Sequence, residues 1–344
     1  MTSLLRPAYS LTVGTQRWTE QLLELDIRLE AAPMLDVVSI RMPARAPVSA
    51  GVGDAVALAV DGGEGSVDVF TGKVDSIRHE LDGIRIAAMN GGADLARYRP
   101  AVTYEKVTVA TVIGNLCGDV NVDVADLETG PVLAFFAADP SRSALDHVAR
   151  VAAWAGALAR MSADNRLQAT VLNATSPGIA LRYGREITAT RQGRAASWLD
   201  AVVIAGEGGA GDASDPAALR PTTDFFAGNR PAGPSSRALW LFEPALRTPA
   251  AARTAGAALE RRYRSSRIRA GLRTYLLPAL RPGAVVQIQG LPDGLDGGPF
   301  WVDRVHHRLS RQGAVSEARL WGGGDTFEPS SLLGSLAGAL AGAI

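Results

Sequence analysis

The sequence predicts a β-rich α+β protein in which two antiparallel β-barrels are connected by a small α/β domain. Over residues 1–97, and again over residues 181–325, apolar and polar side chains alternate in short runs, which is the period of a half-buried strand. Residues 98–180 instead contain two runs with the i, i+3, i+4 spacing of an amphipathic helix. A chain of 344 residues is long enough for about two to three packed domains.

The first predicted barrel, residues 1–97, consists of short strands and close turns, which are also typical of a sandwich. Asp82 and Gly83 predict a β-hairpin, because both residue types tolerate positive φ. A short helix is predicted around Trp18–Leu23. The predicted strands are Leu25–Leu29, Val37–Met42, Asp54–Asp61, Val67–Glu80 and Ile84–Met89.

The predicted α/β domain, residues 98–180, combines two helices with a hairpin. Thr108 is expected to cap the first helix, since its hydroxyl can accept a hydrogen bond from the first turn. The stretch Asp139–Ser141 is expected to open the second helix, and Gly156 to end it. Residues 163–165 predict the turn of a hairpin that follows.

The second predicted barrel, residues 181–325, carries one helix packed on it. Thr248 and Pro249 combine a favoured N-cap with proline at the first helical position, and predict this helix over residues 249–266. Residues 206–236 are rich in Gly, Pro, Ala and Asp and predict a mobile surface loop. The predicted strands are Ile179–Tyr183, Glu186–Gln192, Leu199–Ala205, Ile268–Leu276, Val285–Gln289, Phe300–Ser310 and Val315–Trp321.

Composition argues against several classes of partner. The chain has 35 basic and 35 acidic residues, so no attraction to nucleic acid or to an anionic membrane is expected. Its single cysteine, Cys117, excludes an internal disulfide framework and a cysteine-based zinc cage. No signal peptide is recognisable, and no run reaches the roughly 18 apolar residues of a membrane span. We therefore expect the chain to be made and folded in a reducing cytoplasm.

Three motifs were weighed as chemical sites, and none predicts one. Gly206–Gly211 matches the GxGxxG pattern of dinucleotide sites, but a loop and not the required helix follows it, so no cofactor is expected. His306 and His307 are neighbours on a predicted strand and point to opposite faces, which disfavours a shared metal ion. The carboxylates between Asp119 and Glu128 could include an acid–base pair, although an exposed acidic turn is favoured.

The order of several segments is more informative than any single motif. The first segment is Phe70–Val74 with the hairpin that follows it up to Asn90 and Leu95. Two helical runs come next, Thr108–Cys117 and Ser143–Gly156, and the last segments are Leu280–Ile288 and Phe300–Ser310. Their order and spacing resemble the baseplate hub family of contractile tails. This family includes the late control protein D of phages and the N-terminal half of the type VI secretion spike protein. The resemblance covers most of the chain, and its last segment includes the characteristic histidine of the family.

The resemblance implies two tail-tube-like β-barrels joined through α/β elements, in a structural protein and not an enzyme. Three copies would supply six barrels to a pseudo-sixfold ring, which joins the sixfold tail tube to the threefold spike. The expected partners are two further copies in a homotrimer, the tail tube protein above, a spike protein below and other baseplate proteins. The spike is expected to be a separate protein, because the chain ends soon after the second barrel. The particle could be a phage, a tailocin or an extracellular injection system.

The C-terminal segment, residues 326–344, has its own pattern. Residues 331–344 are apolar and rich in small residues, with a glycine at every fourth position, which would allow two helices to approach closely. Such a segment is either a frayed terminus or a contact with a partner. The candidate residues for contact with the spike or the lumen are Leu332, Leu333, Leu336, Leu340 and Ile344.

Two other functions remain open at this point. A cell-wall hydrolase carried at a tail tip would need a buried carboxylate or metal site in a cleft. A β-rich receptor- or carbohydrate-binding module would need a groove with exposed aromatic side chains, whereas aromatic residues make up only 6% of the chain and are scattered.

Overall fold

The computed structural model describes residues 7–172, 178–195, 201–206, 238–292 and 297–322, which form twenty strands and four helices. The strands are β1 (Ala8–Val13), β2 (Gln16–Trp18), β3 (Glu24–Glu30), β4 (Val37–Met42), β5 (Ala55–Asp61), β6 (Ser66–Glu80), β7 (Gly83–Met89), β8 (Val102–Thr108), β9 (Val124–Leu127), β10 (Val132–Ala138), β11 (Ala157–Met161), β12 (Leu167–Val171), β13 (Ile179–Arg182), β14 (Ile187–Arg194), β15 (Ala201–Ala205), β16 (Ala238–Phe242), β17 (Ile268–Tyr275), β18 (Val285–Gln289), β19 (Gly297–Ser310) and β20 (Gly313–Gly322). The helices are α1 (Gly91–Arg97), α2 (Val109–Gly118), α3 (Ala144–Trp154) and α4 (Pro249–Ser265).

One large sheet of 13 strands combines strands from the N-terminal and the C-terminal parts of the chain. Its order is β14-β17-β20-β19-β3-β4-β7-β6-β5-β1-β2, with β18 beside β19 and β13 beside β18. The pairs are antiparallel except for the parallel pair of β13 with β18. The contact between β3 and β19 joins the N-terminal strands to the C-terminal ones. The β-rich class predicted from the alternating pattern is confirmed.

The buried face of this sheet covers two apolar cores. Leu11, Ile27, Ile40, Leu58 and Ile86 belong to the core under the N-terminal strands. A second core lies under the C-terminal strands and includes Leu272, Ile288, Phe300, Val305 and Leu320. Because side chains of a strand alternate between faces, the other face of the sheet carries the polar residues.

The sheet contains an internal repeat of five strands. In the first unit β3, β4, β5, β6 and β7 follow one another, and in the second β14, β17, β18, β19 and β20 take the same places in the sheet. The long strands β6 and β19 each carry an extra residue opposite the following strand, at Asp75 and at Asp303. The sequence around these bulges repeats as well, as Val74–His79 reads VDSIRH and Val302–His307 reads VDRVHH.

Backbone hydrogen bonds repeat with the same geometry. The Gly53 amide donates to the Val74 carbonyl at 2.8 Å, and the Val74 amide donates to the Asp54 carbonyl at 2.9 Å. In the second unit, the Gly283 amide donates to the Val302 carbonyl at 2.8 Å, and the Val302 amide donates to the Ala284 carbonyl at 2.9 Å. The two glycines have φ values of 92° and 88°, a region in which a side chain is strained. The two units are therefore two versions of one supersecondary structure.

The helices lie in a separate α/β layer with its own core. Thr108 caps α2 as predicted, since its hydroxyl accepts from the Thr111 amide. The cap of α3 is Ser143, in a capping box with Asp146, and not the predicted stretch Asp139–Ser141. Asp139 accepts hydrogen bonds from Ser141 instead, which fixes the turn before the helix.

Thr248 caps α4 and Pro249 begins it, as predicted, but the predicted packing of this helix is wrong. Three of its buried residues, Ala251, Ala252 and Ala255, belong to the α/β core, in which the helix packs against α3 and β15. The alanine face of the helix fits closely against α3, whereas its contact with the second strand unit is made by Arg262, over the ring of Trp321.

Two further local predictions can be compared with the structure. The hairpin turns at Asp82-Gly83 and at residues 163–165 are confirmed by the pairs β6–β7 and β11–β12. The helix predicted around Trp18–Leu23 is wrong, because Trp18 ends β2 and pairs with Leu11 of β1. Its side chain is buried in the first sheet core.

Candidate assembly surfaces

Some predicted features lie outside the described residues. These are the candidate contacts Leu332, Leu333, Leu336, Leu340 and Ile344, and nearly all of the predicted loop 206–236, of which only Gly206 is described. The remaining predictions can be placed in the fold.

The junction of β3 with β19 connects the two strand units. Seven residue pairs form it, from Arg304 opposite Glu30 to Ser310 opposite Glu24. The amide of Ala31 extends it with a 3.0 Å bond to the carbonyl of Asp303. On the buried face, His307 lies opposite Ile27. The first strand of one unit thus pairs with the long strand of the other.

On its exposed face the junction is held by alternating charges. Arg304 lies 2.6 Å from Glu30, His306 lies 2.6 Å from Asp26, and Arg308 lies 3.2 Å from Glu24. Partial burial alone would raise the pKa of Asp26, but the hydrogen bond from His306 and the nearby positive charges hold that pKa below its ordinary value.

His306 and His307 point to opposite faces, as predicted. Nδ1 of His307 lies 2.7 Å from the Ser316 hydroxyl, and Nε2 lies 3.2 Å from the Leu280 carbonyl. Because the Leu280 carbonyl can only accept, Nε2 carries the proton of the neutral ring, and Nδ1 accepts from the Ser316 hydroxyl. Burial lowers the pKa of His307 to about 4. In the described part of the chain, no cluster of His, Cys, Asp or Glu could hold a metal ion.

Two concavities on the charged face of the sheet, one in each strand unit, occupy equivalent positions. The first, of about 340 Å³, is lined by β3, β4, β6 and β7 and includes Arg28, Arg41, Arg78 and Arg85. The second, of about 950 Å³, is lined by β14, β17, β19 and β20 with their flanking residues, and includes seven arginines and one carboxylate, Glu317. The charged face is therefore continuous across both units and rich in arginine.

Two long strand edges are open. β14 is paired only with β17 over its length, apart from an isolated bridge at Ile187, as far as the structure describes the chain. β6 pairs with β5 up to Lys73 and bonds to Gly53 and Asp54 through Val74, and beyond Val74 its described strand partner is β7 alone. An open edge presents free backbone amides and carbonyls and is suited to pairing with another chain.

The candidate chemical groups lie at the surface or in the core. Asp119, Asp123, Asp126 and Glu128 are exposed, as predicted, but the stretch is not a turn throughout, because Asp126 lies in β9. Cys117 is buried, and burial raises the pKa of its thiol to about 12, so it is not an activated nucleophile. Among the described helices, none is both long and apolar enough to cross a bilayer.

In sequence, the chain matches no family model and no curated protein. In structure it is similar to a tail protein from Neisseria meningitidis MC58, with a TM-score of 0.70 and 16% identity over 92% of this chain and 96% of the other. It is also similar to the 43 kDa tail protein of prophage MuSo2 from Shewanella oneidensis, with a TM-score of 0.65 and 17% identity over 92% and 98% of the two chains.

This chain has the fold of phage tail proteins. An Escherichia coli component of the type VI secretion system, described as structurally similar to the T4 tail proteins gp27 and gp5, shares it with a TM-score of 0.63. Identity to that protein is 11%, over 92% of this chain and 77% of the other. The tail-protein fold thus extends over nearly the whole chain, across both strand units and the α/β layer.

Proposed function

We propose that the chain is the structural hub of a contractile tail or of a related injection system, and that three copies form a ring. The observation that carries the proposal is the internal repeat. Two related units lie side by side in one sheet, so three chains would present six similar units. Such a ring could match a sixfold tube on one side and a threefold spike on the other.

In this proposal each unit is a tail-tube-like β-barrel, and the charged face of the sheet lines the channel of the ring. The two concavities lie on this face and are lined by equivalent strands, as repeated segments of one wall would be. A channel wall has to remain hydrated, which favours arginine and carboxylate side chains there over apolar ones. The fold shared with tail proteins supports this arrangement.

The proposed partners are the tail tube protein above, the spike below and other baseplate proteins around the ring, all assembled in the bacterial cytoplasm. For the apolar segment 331–344 we propose a contact with the spike or a plug in the lumen, because an uncharged segment gains free energy when a partner buries it.

The native mass of the purified full chain, together with two-dimensional electron-microscopy class averages, tests the ring. The expected result is a trimer with a central channel and six similar lobes. A mass of one chain up to the highest soluble concentration, or a closed ring with another number of copies, would contradict it.

Deletion of residues 331–344 tests the role of the segment separately. The expected outcome is a chain that still forms the ring but no longer incorporates the spike or the tube. Unchanged incorporation into particles would show that the segment is not the contact.

A further inference from the structure

The two concavities on the charged face differ in size, although they occupy equivalent places in the repeat. The second has a volume of about 950 Å³, against about 340 Å³ for the first. Superposing the units by their strand registers gives a reason for the difference. Gly193 and Gly271 take the places of Arg28 and Ser39, so the floor of the second concavity lacks two side chains that the first one has.

The backbone does not require glycine at either position. Gly193 and Gly271 lie within strands and neither has a positive φ, so other residues can adopt the same conformation. A Cβ added at either position would meet no atom of the described residues within 4 Å. A glycine inside a strand weakens it and often marks a place where a ligand or another chain approaches closely. The open floor therefore indicates a surface on which something else binds.

The charge of the second concavity differs from that of the first in the same strand. Arg191 and Ala189 of β14 take the places of Asp26 and Glu24 of β3, so two carboxylates are absent and one cation is added. Among the described residues that line the second concavity, Glu317 is the single carboxylate against seven arginines. The second concavity therefore has a surplus of positive charge.

Two of its arginines have no carboxylate partner in the described part of the chain. Arg191 is exposed and forms no ion pair there, and Arg269 donates to the backbone carbonyl of Ser266 at 3.1 Å. Arg191 lies opposite Gly271 and Arg269 lies opposite Gly193, so both arginines border the open floor. They are diagonal neighbours on two paired strands, a separation of about 7–8 Å. Alternate side chains of an extended peptide are spaced by about 7 Å, which matches this diagonal.

We propose that the second concavity binds an acidic peptide segment of another protein, whose carboxylates pair with Arg191 and Arg269 while its backbone lies over the two glycines. One copy of the chain forms the whole concavity, so this inference goes beyond the proposed ring and does not depend on it. In the ring, three copies would each present such a site towards the channel.

The same face shows which kind of anion its arginines bind. Nε of Arg319 lies 3.0 and 2.9 Å from the two carboxylate oxygens of Asp303, and Arg304 lies 2.6 Å from Glu30. Pairing with carboxylate is thus the interaction that the neighbouring arginines already make. Nucleic acid is disfavoured, because the described lining contains no Phe, Tyr or Trp on which a base could stack, and because Glu317 would repel a phosphate backbone.

A dye-labelled decapeptide in which glutamate alternates with serine tests the site, titrated with the full chain and followed by fluorescence anisotropy. The unchanged chain should bind it, and should not bind the same peptide with glutamine in place of glutamate. Arg191→Glu and Arg269→Glu should each weaken binding about tenfold, because a charge-assisted pair is replaced by repulsion. Arg45→Glu is the matched control, since it makes the same change of charge at an exposed arginine outside the concavity and should leave binding unchanged.

Gly271→Val tests the floor without changing the charge. The added side chain has free space and suits a strand, so urea unfolding should show a chain at least as stable as the unchanged one. Binding of the glutamate peptide should nevertheless weaken about tenfold, because the side chain occupies the place of the peptide backbone. Gly193→Val serves as a second variant of the same kind.

Three outcomes would overturn the site. These are the absence of binding to the glutamate peptide, equal losses from Arg45→Glu and the two concavity variants, and tighter binding of a ten-nucleotide oligothymidylate than of the peptide, which would assign the concavity to nucleic acid. None of them bears on the proposed ring, because the native mass of the same sample reports on the ring separately.

Discussion

Asp75 and Asp303 hold the same place in the two strand units, each as the extra residue of a β-bulge with an arginine on its carboxylate. The arginines come from different elements, Arg97 of α1 for Asp75 and Arg319 of β20 for Asp303. The two units thus share the bulge, whereas the arginine that pairs with its aspartate comes from a different element in each. A bulge shifts the alternation of a strand by one residue, so it decides which side chains beyond it reach the core.

The bulge at Asp303 leads to a first prediction. Deleting Asp303 removes the extra residue but leaves Val302 opposite Leu320 and Arg304 opposite Arg319, so His306 keeps facing the charged side and His307 the core. We expect a chain that still folds cooperatively, as judged by near-ultraviolet circular dichroism and urea unfolding, but that is less stable because the bulge and the bond from the Ala31 amide to the Asp303 carbonyl are lost. The matched control is Asp303→Ala, which keeps the extra residue and removes only an exposed ion pair, at a cost of about 1 kcal/mol or less. Equal damage from the two changes would assign the effect to the carboxylate and not to the bulge.

Much of the local structure could be predicted from the sequence. Val37–Met42 and Val285–Gln289 coincide with β4 and β18, and the Thr108 and Thr248 caps are where the sequence places them. These features depend on neighbouring residues only, namely on alternation and on a hydroxyl next to a helical turn.

The arrangement of these elements could not be predicted in the same way. Asp26 and His306 lie 280 positions apart, and nothing in either strand alone indicates the other as its partner. The short helix α1 begins with two glycines and depends on its Asn90 cap, which Asp36 holds from a distance. One long-range signal was present, since the repeat of VDSIRH as VDRVHH marks β6 and β19 as equivalents.

His307 makes the stability of the fold sensitive to acid, which is the second prediction. The unfolded chain binds a proton on this side chain near the ordinary pKa of 6.5, whereas the folded chain does so only near 4, because burial disfavours the cation. Stability is therefore complete above pH 6.5 and falls as the pH drops towards 4, by on the order of 3 kcal/mol. The measurement is urea unfolding across this range, for the unchanged chain and for His307→Gln.

We expect His307→Gln to be less stable at neutral pH, since its bonds to Ser316 and Leu280 are disturbed, but to lose this acid sensitivity. His79→Gln is the matched control, because it removes the exposed histidine at the equivalent position of the other unit. If the unfolding free energy of His307→Gln still fell by the full amount between pH 6.5 and 4, other groups would be responsible for the acid sensitivity.

Asp36 should act in the opposite direction, which is the third prediction. Its carboxylate accepts from the Glu30 amide at 2.7 Å and from the Asn90 side chain at 2.8 Å. Burial nevertheless raises its pKa to about 7, against 3.8 in the unfolded chain. The folded chain keeps a proton that the unfolded chain has lost, so stability is complete below pH 3.8 and decreases as the pH rises through 7.

Because Asp36 and His307 act in overlapping ranges with opposite signs, the unchanged chain alone cannot separate them. Asp36→Asn should remove the decrease between pH 4 and 7 and leave the acid loss due to His307 in place. As the pH rises from 4 to 7, the unfolding free energy of the unchanged chain should fall relative to that of the variant. A constant difference would mean that Asp36 is ionised in the folded chain throughout.

The fourth prediction compares Val305 and Ile77, which hold equivalent positions after the bulges of β19 and β6. Val305 is fully buried under the junction with β3, so Val305→Ala should cost about 2 kcal/mol at any protein concentration. Ile77 is only half-buried beside the open edge of β6. At concentrations where the copies are separate, Ile77→Ala should therefore cost less than about 1 kcal/mol. Urea unfolding of both variants at low protein concentration measures the two costs, and an equal cost at the two positions would mean that Ile77 is as well packed as Val305.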